Sequence, residues 1–219
     1  MTHLDLTALR TINAAVLCDV LDSLGLMHQA MQPFVRPLDD QLQLIGRART
    51  GLYMPVYQTR TGENPYEVEI ALVDHLKPND VVVLACSGPT DRIAPWGELL
   101  STASQVRGAA GCVTDGLVRD VKQIRAMNFA VFHGGIGPLD TKGRARMVER
   151  DVAVECAGVA VRPGDIVFGD VDGVVVIPRE REAEVVRLAL EKVAGENQSR
   201  AALRAGELLG DVFRRLGIL

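Results

Sequence analysis

Apolar residues recur along this chain with the spacing of helices and strands, and the pattern changes between its two halves. After Asn13, every third or fourth residue is apolar as far as Leu24, and Gly25 follows. This pattern predicts a helix that Asn13 caps and the glycine ends. The segment Asp-Val-Val-Val-Leu-Ala at 80–85 is a short β-branched run between polar residues, which predicts a buried strand.

Strands and helices alternate through the first two thirds of the chain. In order, the pattern predicts a strand at 45–56, a helix that Asn64 caps and Pro65 opens, the strand at 80–85, a helix at about 96–107, a strand at 111–114, a helix at 117–127 and a strand at 130–133. Asp115 and Gly116 are assigned to a turn. Because strands and helices alternate, we expect parallel strands joined by crossover helices.

The last third predicts antiparallel strands followed by a helix. Short strands at 158–161, 165–169 and 173–178 are separated by Arg-Pro-Gly-Asp and Asp-Val-Asp-Gly turns. A long C-terminal helix is predicted from Arg179 onward (about 179–219), and its apolar stripe is lost after Val193. That second half therefore either lies in solvent or reaches polar groups on another subunit. Without an internal repeat or linker, we predict a single mixed α/β domain over 1–219.

Composition narrows the class of protein. The chain is 47% apolar, and 24 Lys and Arg against 28 Asp and Glu give a net charge of −4. The apolar fraction excludes intrinsic disorder, and the acidic balance argues against a nucleic-acid partner. The four cysteines form no C-x-x-C pair, which favours reduced thiols over disulfides or a zinc site. The start lacks a signal peptide's apolar core and the apolar runs are short, so we expect a soluble cytoplasmic protein with no membrane partner.

Candidate chemistry is densest in two short segments. Gly97 and Glu98 lie where a loop becomes a helix, so the unpaired amides of 97–100 can hold an anion such as a carboxylate. Arg119 and Asp120 follow a predicted strand, at the end where open α/β sheets usually bind ligands. The guanidinium fork of Arg119 suits a carboxylate or keto-acid. The carboxylate of Asp120 offers hard oxygen ligands to a divalent ion, and Glu98 can add a second carboxylate through a bound water.

Each of these residues is also compatible with a purely structural role. Glu98 at a helix start is often a dipole-favoured surface residue, and Arg119 and Asp120 are compatible with solvated surface charges. The segment His-Gly-Gly-Ile-Gly at 133–137 lacks the features of a nucleotide-binding loop and is interpreted as a turn. Glu196 and Arg200 have the spacing of an i,i+4 ion pair on the tail helix.

The sequence resembles the RraA-like superfamily. The resemblance extends from the first helix to Asp211, and it is carried by Gly-Glu-Leu-Leu at 97–100, Gly-Cys-Val-Thr-Asp-Gly-Leu-Val-Arg-Asp at 111–120, Arg-Pro-Gly-Asp at 162–165 and Asp-Val-Asp-Gly-Val-Val-Val-Ile-Pro at 170–178. The superfamily includes class II pyruvate aldolases that act on 4-hydroxy-4-methyl-2-oxoglutarate and 4-carboxy-4-hydroxy-2-oxoadipate. The fold that the resemblance implies is an α/β, β/β/α layered domain with a mixed sheet and a long C-terminal helix, assembled as a trimer or hexamer.

The resemblance also implies roles for individual residues. Asp120 matches the aspartate that ligates Mg²⁺ or Mn²⁺, and Arg119 matches the arginine that contacts the pyruvyl group. Glu98 matches an acidic position, usually Asp, that holds the metal through water, and Glu196 matches a tail glutamate that enters a neighbouring subunit's active site. A metal-held water near Glu98, or Glu196 itself, is the expected relay for the proton of the substrate's 4-hydroxyl. The amides that match the carboxylate cradle belong to Gly97, Glu98, Leu99 and Leu100.

Two functions follow from the resemblance. The first is a metal-dependent carbon–carbon lyase that cleaves a 4-hydroxy-2-keto acid through a pyruvate enolate, with oxaloacetate decarboxylation as a side activity. The second is a non-catalytic, protein-binding regulator of ribonuclease activity on the same scaffold. Metal-dependent turnover distinguishes them, because a regulator does not need the Asp120 carboxylate.

Overall fold

The computed structural model describes residues 6–59 and 61–218, and it is a mixed α/β structure. The helices are a 3₁₀ turn at Leu6–Thr11, α1 (Ala14–Ser23), α2 (Glu67–Asp74), α3 (Glu98–Val106), α4 (Val121–Ala126), a 3₁₀ turn at Arg179–Arg181, α5 (Glu182–Arg204) and α6 (Leu209–Leu216). The strands are β1 (Arg36–Pro37), β2 (Leu44–Pro55), β3 (Asp80–Ala85), β4 (Gly111–Val118), β5 (Ala130–Ile136), β6 (Ala145–Arg150), β7 (Val154–Cys156), β8 (Val159–Val161), β9 (Ile166–Asp170) and β10 (Gly173–Ile177). Within these residues, no helix is both long and apolar enough to cross a bilayer.

One mixed sheet organises the fold. Its order is β1-β5-β4-β3-β2-β9-β10, with β6 pairing with β2 as well. The strands β2, β3, β4 and β5 are parallel, as the alternation of strands and helices predicts, and β9 and β10 are antiparallel. A bridge between Ala30 and Val175 joins the segment before β1 to β10, so the sheet nearly closes into a barrel.

Both faces of the sheet are buried, which gives the layers that the resemblance implies. Helices α2, α3 and α4 cover the face that includes Val82, Leu84 and Val131. The β7–β8 hairpin packs against the opposite face, on a cluster that includes Val83 and Phe132. The helices α1 and α5 cover β9 and β10 from the other side, through a third cluster. The C-terminal helix is therefore anchored to the antiparallel end of the sheet.

The first helix is formed as its sequence predicts. The Asn13 side chain accepts a hydrogen bond from the Val16 amide at 2.8 Å, which satisfies one of the free N–H groups of α1. The helix ends before Gly25, whose φ of 77° is a left-handed conformation that glycine adopts without strain. Strand β3 at Asp80–Ala85 has the predicted bounds.

Several predicted boundaries are wrong, and sheet pairing is the main reason. Asp115 and Gly116 lie inside β4 rather than in a turn, and the strand continues to Val118 because its last residues pair with β5. Helix α4 therefore begins at Val121 and not at 117. The segment at 133–137 is not a turn, since β5 runs through it as far as Ile136.

Local hydrogen bonds explain the other differences. The Asn64 side chain accepts from the Tyr66 amide and forms a turn, so α2 begins only at Glu67. The C-terminal helix is divided, because α5 ends at Arg204 and Gly206 adopts a left-handed φ of 91° before α6. The short strands β1, β6 and β7 were not predicted from the sequence.

Candidate functional site

The candidate site lies at the carboxyl ends of the parallel strands β3, β4 and β5. The loop after β3 is joined to the end of β4, because Trp96 and Val118 form a parallel bridge and the Arg119 amide donates to the Trp96 carbonyl at 3.0 Å. This pairing places the start of α3 beside Arg119 and Asp120. The two segments of candidate chemistry are thus adjacent, at the sheet edge where α/β folds usually bind ligands.

Gly97 and Asp120 are in close contact. A Cβ atom at Gly97 would lie 2.7 Å from Asp120 Oδ2, so only a glycine leaves the carboxylate where it is. The same oxygen accepts a hydrogen bond from the Glu98 amide at 3.2 Å. Asp120 itself has a left-handed backbone, with φ of 59°, which aspartate tolerates better than most residues. The carboxylate is therefore held at the N-terminus of α3.

Arg119 lies between two carboxylates. Its Nε is 3.9 Å from Asp120 Oδ2, and its Nη1 is 3.5 Å from Asp140 Oδ1. The Tyr66 hydroxyl donates to the other oxygen of Asp140 at 2.5 Å. Burial alone would raise the pKa of Asp140, but the bonds from Tyr66 and the Thr141 amide, with the charge of Arg119, hold it below its usual value. Burial and that hydrogen bond raise the pKa of Tyr66 to about 12, so Tyr66 is a donor at neutral pH.

A cavity of about 370 Å³ opens over these groups. Its polar side carries Arg119, Asp120, Asp140 and Thr141, and its apolar side includes Ile70 and the first turn of α3. Leu99 and Leu100 line it, and their amides belong to a turn whose N–H groups have no acceptor within the helix. A polar rim with the unpaired amides of Leu99 and Leu100 suits a small organic anion.

The other two predicted carboxylates lie elsewhere in this chain. The Glu98 side chain accepts from the Thr102 hydroxyl at 2.7 Å along α3, and among the described residues it does not line the cavity. Glu196 lies on α5, which packs on α1 and α6, and its carboxylate is 3.6 Å from Arg200. Within a single chain, Glu196 therefore forms the predicted i,i+4 pair.

Three site residues were not identified from the sequence: Tyr66, Glu69 and Asp140. Glu69 lines the cavity, is buried, and accepts a hydrogen bond from the Tyr53 hydroxyl. A signal existed for it, because Glu69 shares the apolar face of α2 with Leu72 at the i,i+3 spacing. No motif marks Asp140, but it follows the parallel strand β5, at the edge where the fold places ligand groups.

The donor set around Asp120 can be compared with the needs of a divalent ion. Across residues 6–59 and 61–218, no group of three or more His, Cys, Asp or Glu is arranged as a metal site. The Asp120 side chain is 45% exposed, and its Oδ1 has no hydrogen-bond partner among the described residues. Mg²⁺ usually keeps several waters and takes one or two carboxylates plus substrate oxygens, so this single open carboxylate fits that mode of binding.

A larger cavity, of about 450 Å³, lies away from these residues. It is bordered by Tyr57, Thr59 and the Glu63–Arg146 ion pair, at the edge of β6. The strand ends that hold Arg119 and Asp120 do not reach it. The smaller cavity is therefore the better candidate for a functional site.

The sequence is similar to a known protein family and to a relative with an aldolase name. The sequence model of the RraA-like family, described as Aldolase/RraA, matches residues 14–176. A protein of Halalkalibacterium halodurans with the provisional name 4-hydroxy-4-methyl-2-oxoglutarate aldolase is 31% identical over 198 residues, which are 90% of this chain and 88% of that protein.

Two solved structures are also similar. One is RraAS2 of Streptomyces coelicolor, described as an unusual member of the RNase ES inhibitor RraA protein family. It superposes with a TM-score of 0.79 at 27% identity, over 91% of this chain and 98% of RraAS2. The other is an uncharacterised protein of Pseudomonas syringae pv. tomato, with a TM-score of 0.82 at 26% identity, over 94% of this chain and 95% of that one.

Proposed function

Because this chain belongs to the RraA-like family, we propose that it is a metal-dependent carbon–carbon lyase that releases pyruvate from a 4-hydroxy-2-keto acid. We include oxaloacetate decarboxylation as a side activity, since both reactions pass through a pyruvate enolate. One observation carries the proposal: Arg119, Asp120 and the free amides of α3 border the same end of one cavity. The relative's aldolase name supports the same reaction class.

Each group has a distinct part in this proposal. Asp120 holds Mg²⁺ or Mn²⁺, which, when bound, acts as a Lewis acid toward the keto oxygen. Arg119 binds the substrate carboxylate with its planar fork, and the amides of Leu99 and Leu100 orient the same end. Asp140 and Tyr66 hold the guanidinium in place through the contacts described above. Glu98 remains a proposed water-mediated metal contact, which requires its side chain to leave Thr102.

The proposal includes a homo-oligomer, either a trimer or a hexamer. Glu196 is held on α5, against α1 and α6, and does not line the cavity of its own chain, so we assign it to the cavity of a neighbouring subunit. Leu99, at the mouth of the cavity, is an apolar side chain that is 79% exposed in the single chain. Both features are what a site completed by a second copy would show.

The second candidate is a protein-binding regulator of ribonuclease activity. The similarity to RraAS2 over nearly the whole of both chains favours it. A regulator of this kind would need neither the Asp120 carboxylate nor a 2-keto acid. The two candidates therefore differ in a measurable property.

The deciding experiment is an oxaloacetate decarboxylation assay with Mg²⁺ or Mn²⁺, with and without EDTA. We expect pyruvate release that EDTA abolishes and added metal restores. The Asp120→Asn variant should lose this activity while its melting temperature stays close to that of the wild type, because Asp120 is partly exposed. If neither oxaloacetate nor 4-hydroxy-4-methyl-2-oxoglutarate is turned over with any metal, the lyase proposal fails and the regulator is favoured.

A further inference from the structure

A buried carboxyl group faces the cavity without a cationic partner in direct contact. Glu69 is only 9% exposed, lies on α2 and lines the cavity together with Arg119. Lys and Glu side chains are rarely buried without an ion-pair partner, because desolvation penalises the charged form. Such a position, in a cleft beside binding groups, is typical of functional carboxylates.

The two oxygens of Glu69 have different surroundings. Oε2 accepts a hydrogen bond from the Tyr53 hydroxyl of β2. Burial raises the pKa of Tyr53 well above its usual value, so Tyr53 stays protonated and acts as the donor. Oε1 has no hydrogen-bond partner among the described residues. It is not fully buried either, so part of its surface is accessible. This oxygen is therefore open to the cavity.

The surroundings of Glu69 bring its pKa close to neutral pH. Burial raises the pKa of Glu69 to about 7, and the charge of Asp140 also raises it, while the Tyr53 hydrogen bond and the charge of Arg119 lower it. A group with a pKa close to the working pH can both accept and donate a proton efficiently.

The other acids of the cavity suit this task less well. Asp140 is ionised and weakly basic, because its pKa is held low. Tyr66, with a pKa of about 12, is a poor base at neutral pH. Asp120 is the proposed metal ligand. Among the described residues that line the cavity, this leaves Glu69.

We propose that Glu69 is the acid–base residue of the lyase reaction. Its carboxylate takes the proton of the substrate's C4 hydroxyl as the C3–C4 bond breaks, which yields the carbonyl product and the pyruvate enolate. The protonated Glu69 then gives the same proton to C3 of the enolate, so pyruvate leaves and the carboxylate is regenerated. The inference rests on the proposed function, because it assumes the pyruvate enolate.

The test isolates the proton transfer from bond cleavage. In D₂O with Mg²⁺, the wild-type enzyme should exchange the methyl protons of pyruvate, followed by NMR, since Glu69 removes a proton from C3 in the reverse step. Glu69→Gln should slow this exchange by about 100-fold or more. The matched control is Glu67→Gln, an exposed glutamate two residues earlier on α2, which should exchange at the wild-type rate.

Binding and folding are measured in the same variants. The single tryptophan, Trp96, lines the cavity, so its fluorescence reports pyruvate binding. Glu69→Gln should bind pyruvate within a few-fold of the wild type and should keep its melting temperature, since the amide oxygen can still accept from Tyr53. Loss of exchange together with loss of binding would assign Glu69 to positioning the substrate and would overturn the proposal.

A second variant tests the pH dependence. The wild-type exchange rate should rise with pH as Glu69 loses its proton near neutrality. Tyr53→Phe removes a hydrogen bond that favours the charged form of Glu69, so the pKa of Glu69 rises. The rise of the exchange rate with pH should therefore move to higher pH, and the variant should reach the full wild-type rate there. A purely structural role of Tyr53 would lower the rate at every pH.

The outcomes separate the two proposals. If the wild type exchanges pyruvate protons and Glu69→Gln does so as fast, the acid–base role is refuted while the lyase proposal stands. If the wild type shows neither metal-dependent exchange nor decarboxylation, the lyase proposal fails and the role of Glu69 fails with it.

Discussion

Adding one methyl group at Gly97 should damage the site without damaging the fold. The backbone of Gly97 is extended, with φ of −152°, so alanine fits there without strain. Its Cβ, however, would lie 2.7 Å from Asp120 Oδ2 and 3.2 Å from Cγ and Nε of Arg119. Ordinary contact begins near 3.4 Å, so the Asp120 oxygen must move by about 0.7 Å.

That displacement sets the expected magnitude. A misplacement of about 1 Å in a catalytic arrangement can cost about 100-fold in rate. We expect Gly97→Ala to lower kcat/KM about 10- to 100-fold, or about 1.4–2.7 kcal/mol of transition-state stabilisation. Stability should be unchanged or slightly higher, because alanine lowers the entropy of the unfolded chain.

The assay is pyruvate release from oxaloacetate, coupled to NADH oxidation, with thermal unfolding of the same sample. Gly210→Ala is the control, because its Cβ would meet only the end of Arg214 at 3.6 Å, in a helix that packs on α5. It should keep wild-type activity. If Gly97→Ala retains kcat/KM within about twofold of the wild type, the contact with Asp120 does not define the reactive geometry.

Three further changes test other parts of the structure. Arg119→Lys should lose about 2–5 kcal/mol of the transition-state stabilisation that kcat/KM reports, nearly as much as Arg119→Ala, because an ammonium cannot reproduce the guanidinium fork. Wild-type kinetics in Arg119→Lys would exclude bidentate binding. Mixing inactive Asp120→Ala and Glu196→Ala proteins should restore activity once subunits exchange, and no rescue would mean that Glu196 does not complete the site of a neighbouring subunit. Hydrogen bonds from Arg49 lower the pKa of Asp151 in the folded protein. They therefore stabilise the fold at pH values above the pKa of an unfolded aspartate, about 4, and this stabilisation is lost as the pH falls below that value. Asp151→Asn should therefore be about 1–2 kcal/mol less stable than the wild type at pH 7, with a gap that narrows in acid; an equal gap at both pH values would contradict this.

Local patterns predict the elements whose stability is decided locally. Asn13 caps α1 through a contact three residues away, and the apolar run at Asp80–Ala85 is buried on both sides, so each is readable from a short window. The alternation of strands and helices also predicts parallel pairing, and with it the edge where Arg119 and Asp120 lie. The family's roles for these residues stay predictions until activity is measured.

Elements that depend on distant partners could not be predicted in this way. Asp115 and Gly116 are residue types that favour turns. The Asp115 carboxylate, however, accepts hydrogen bonds from the amides of Cys86 and Gly88, and these contacts hold Asp115 within the sheet. Strand β6 exists because it pairs with β2, about a hundred residues earlier in the chain. The i,i+3 spacing with Leu72 places Glu69 on the apolar face of α2, but its hydrogen bond with Tyr53 of β2 depends on a partner outside that helix.

The acidic residues around the cavity show how one fold gives similar side chains different chemistry. Asp140 lies beside a guanidinium and accepts hydrogen bonds from the Tyr66 hydroxyl and from backbone amides, so its pKa falls. Glu69 has one hydrogen bond and little solvent, so its pKa rises to about 7. Carboxylates whose pKa values are driven apart are suited to separate tasks in one reaction. Because Asp140 follows β5 and Glu69 lies on α2, the packing of α2 beside the strand ends is what brings an ionised and a protonatable carboxyl group to the same cavity.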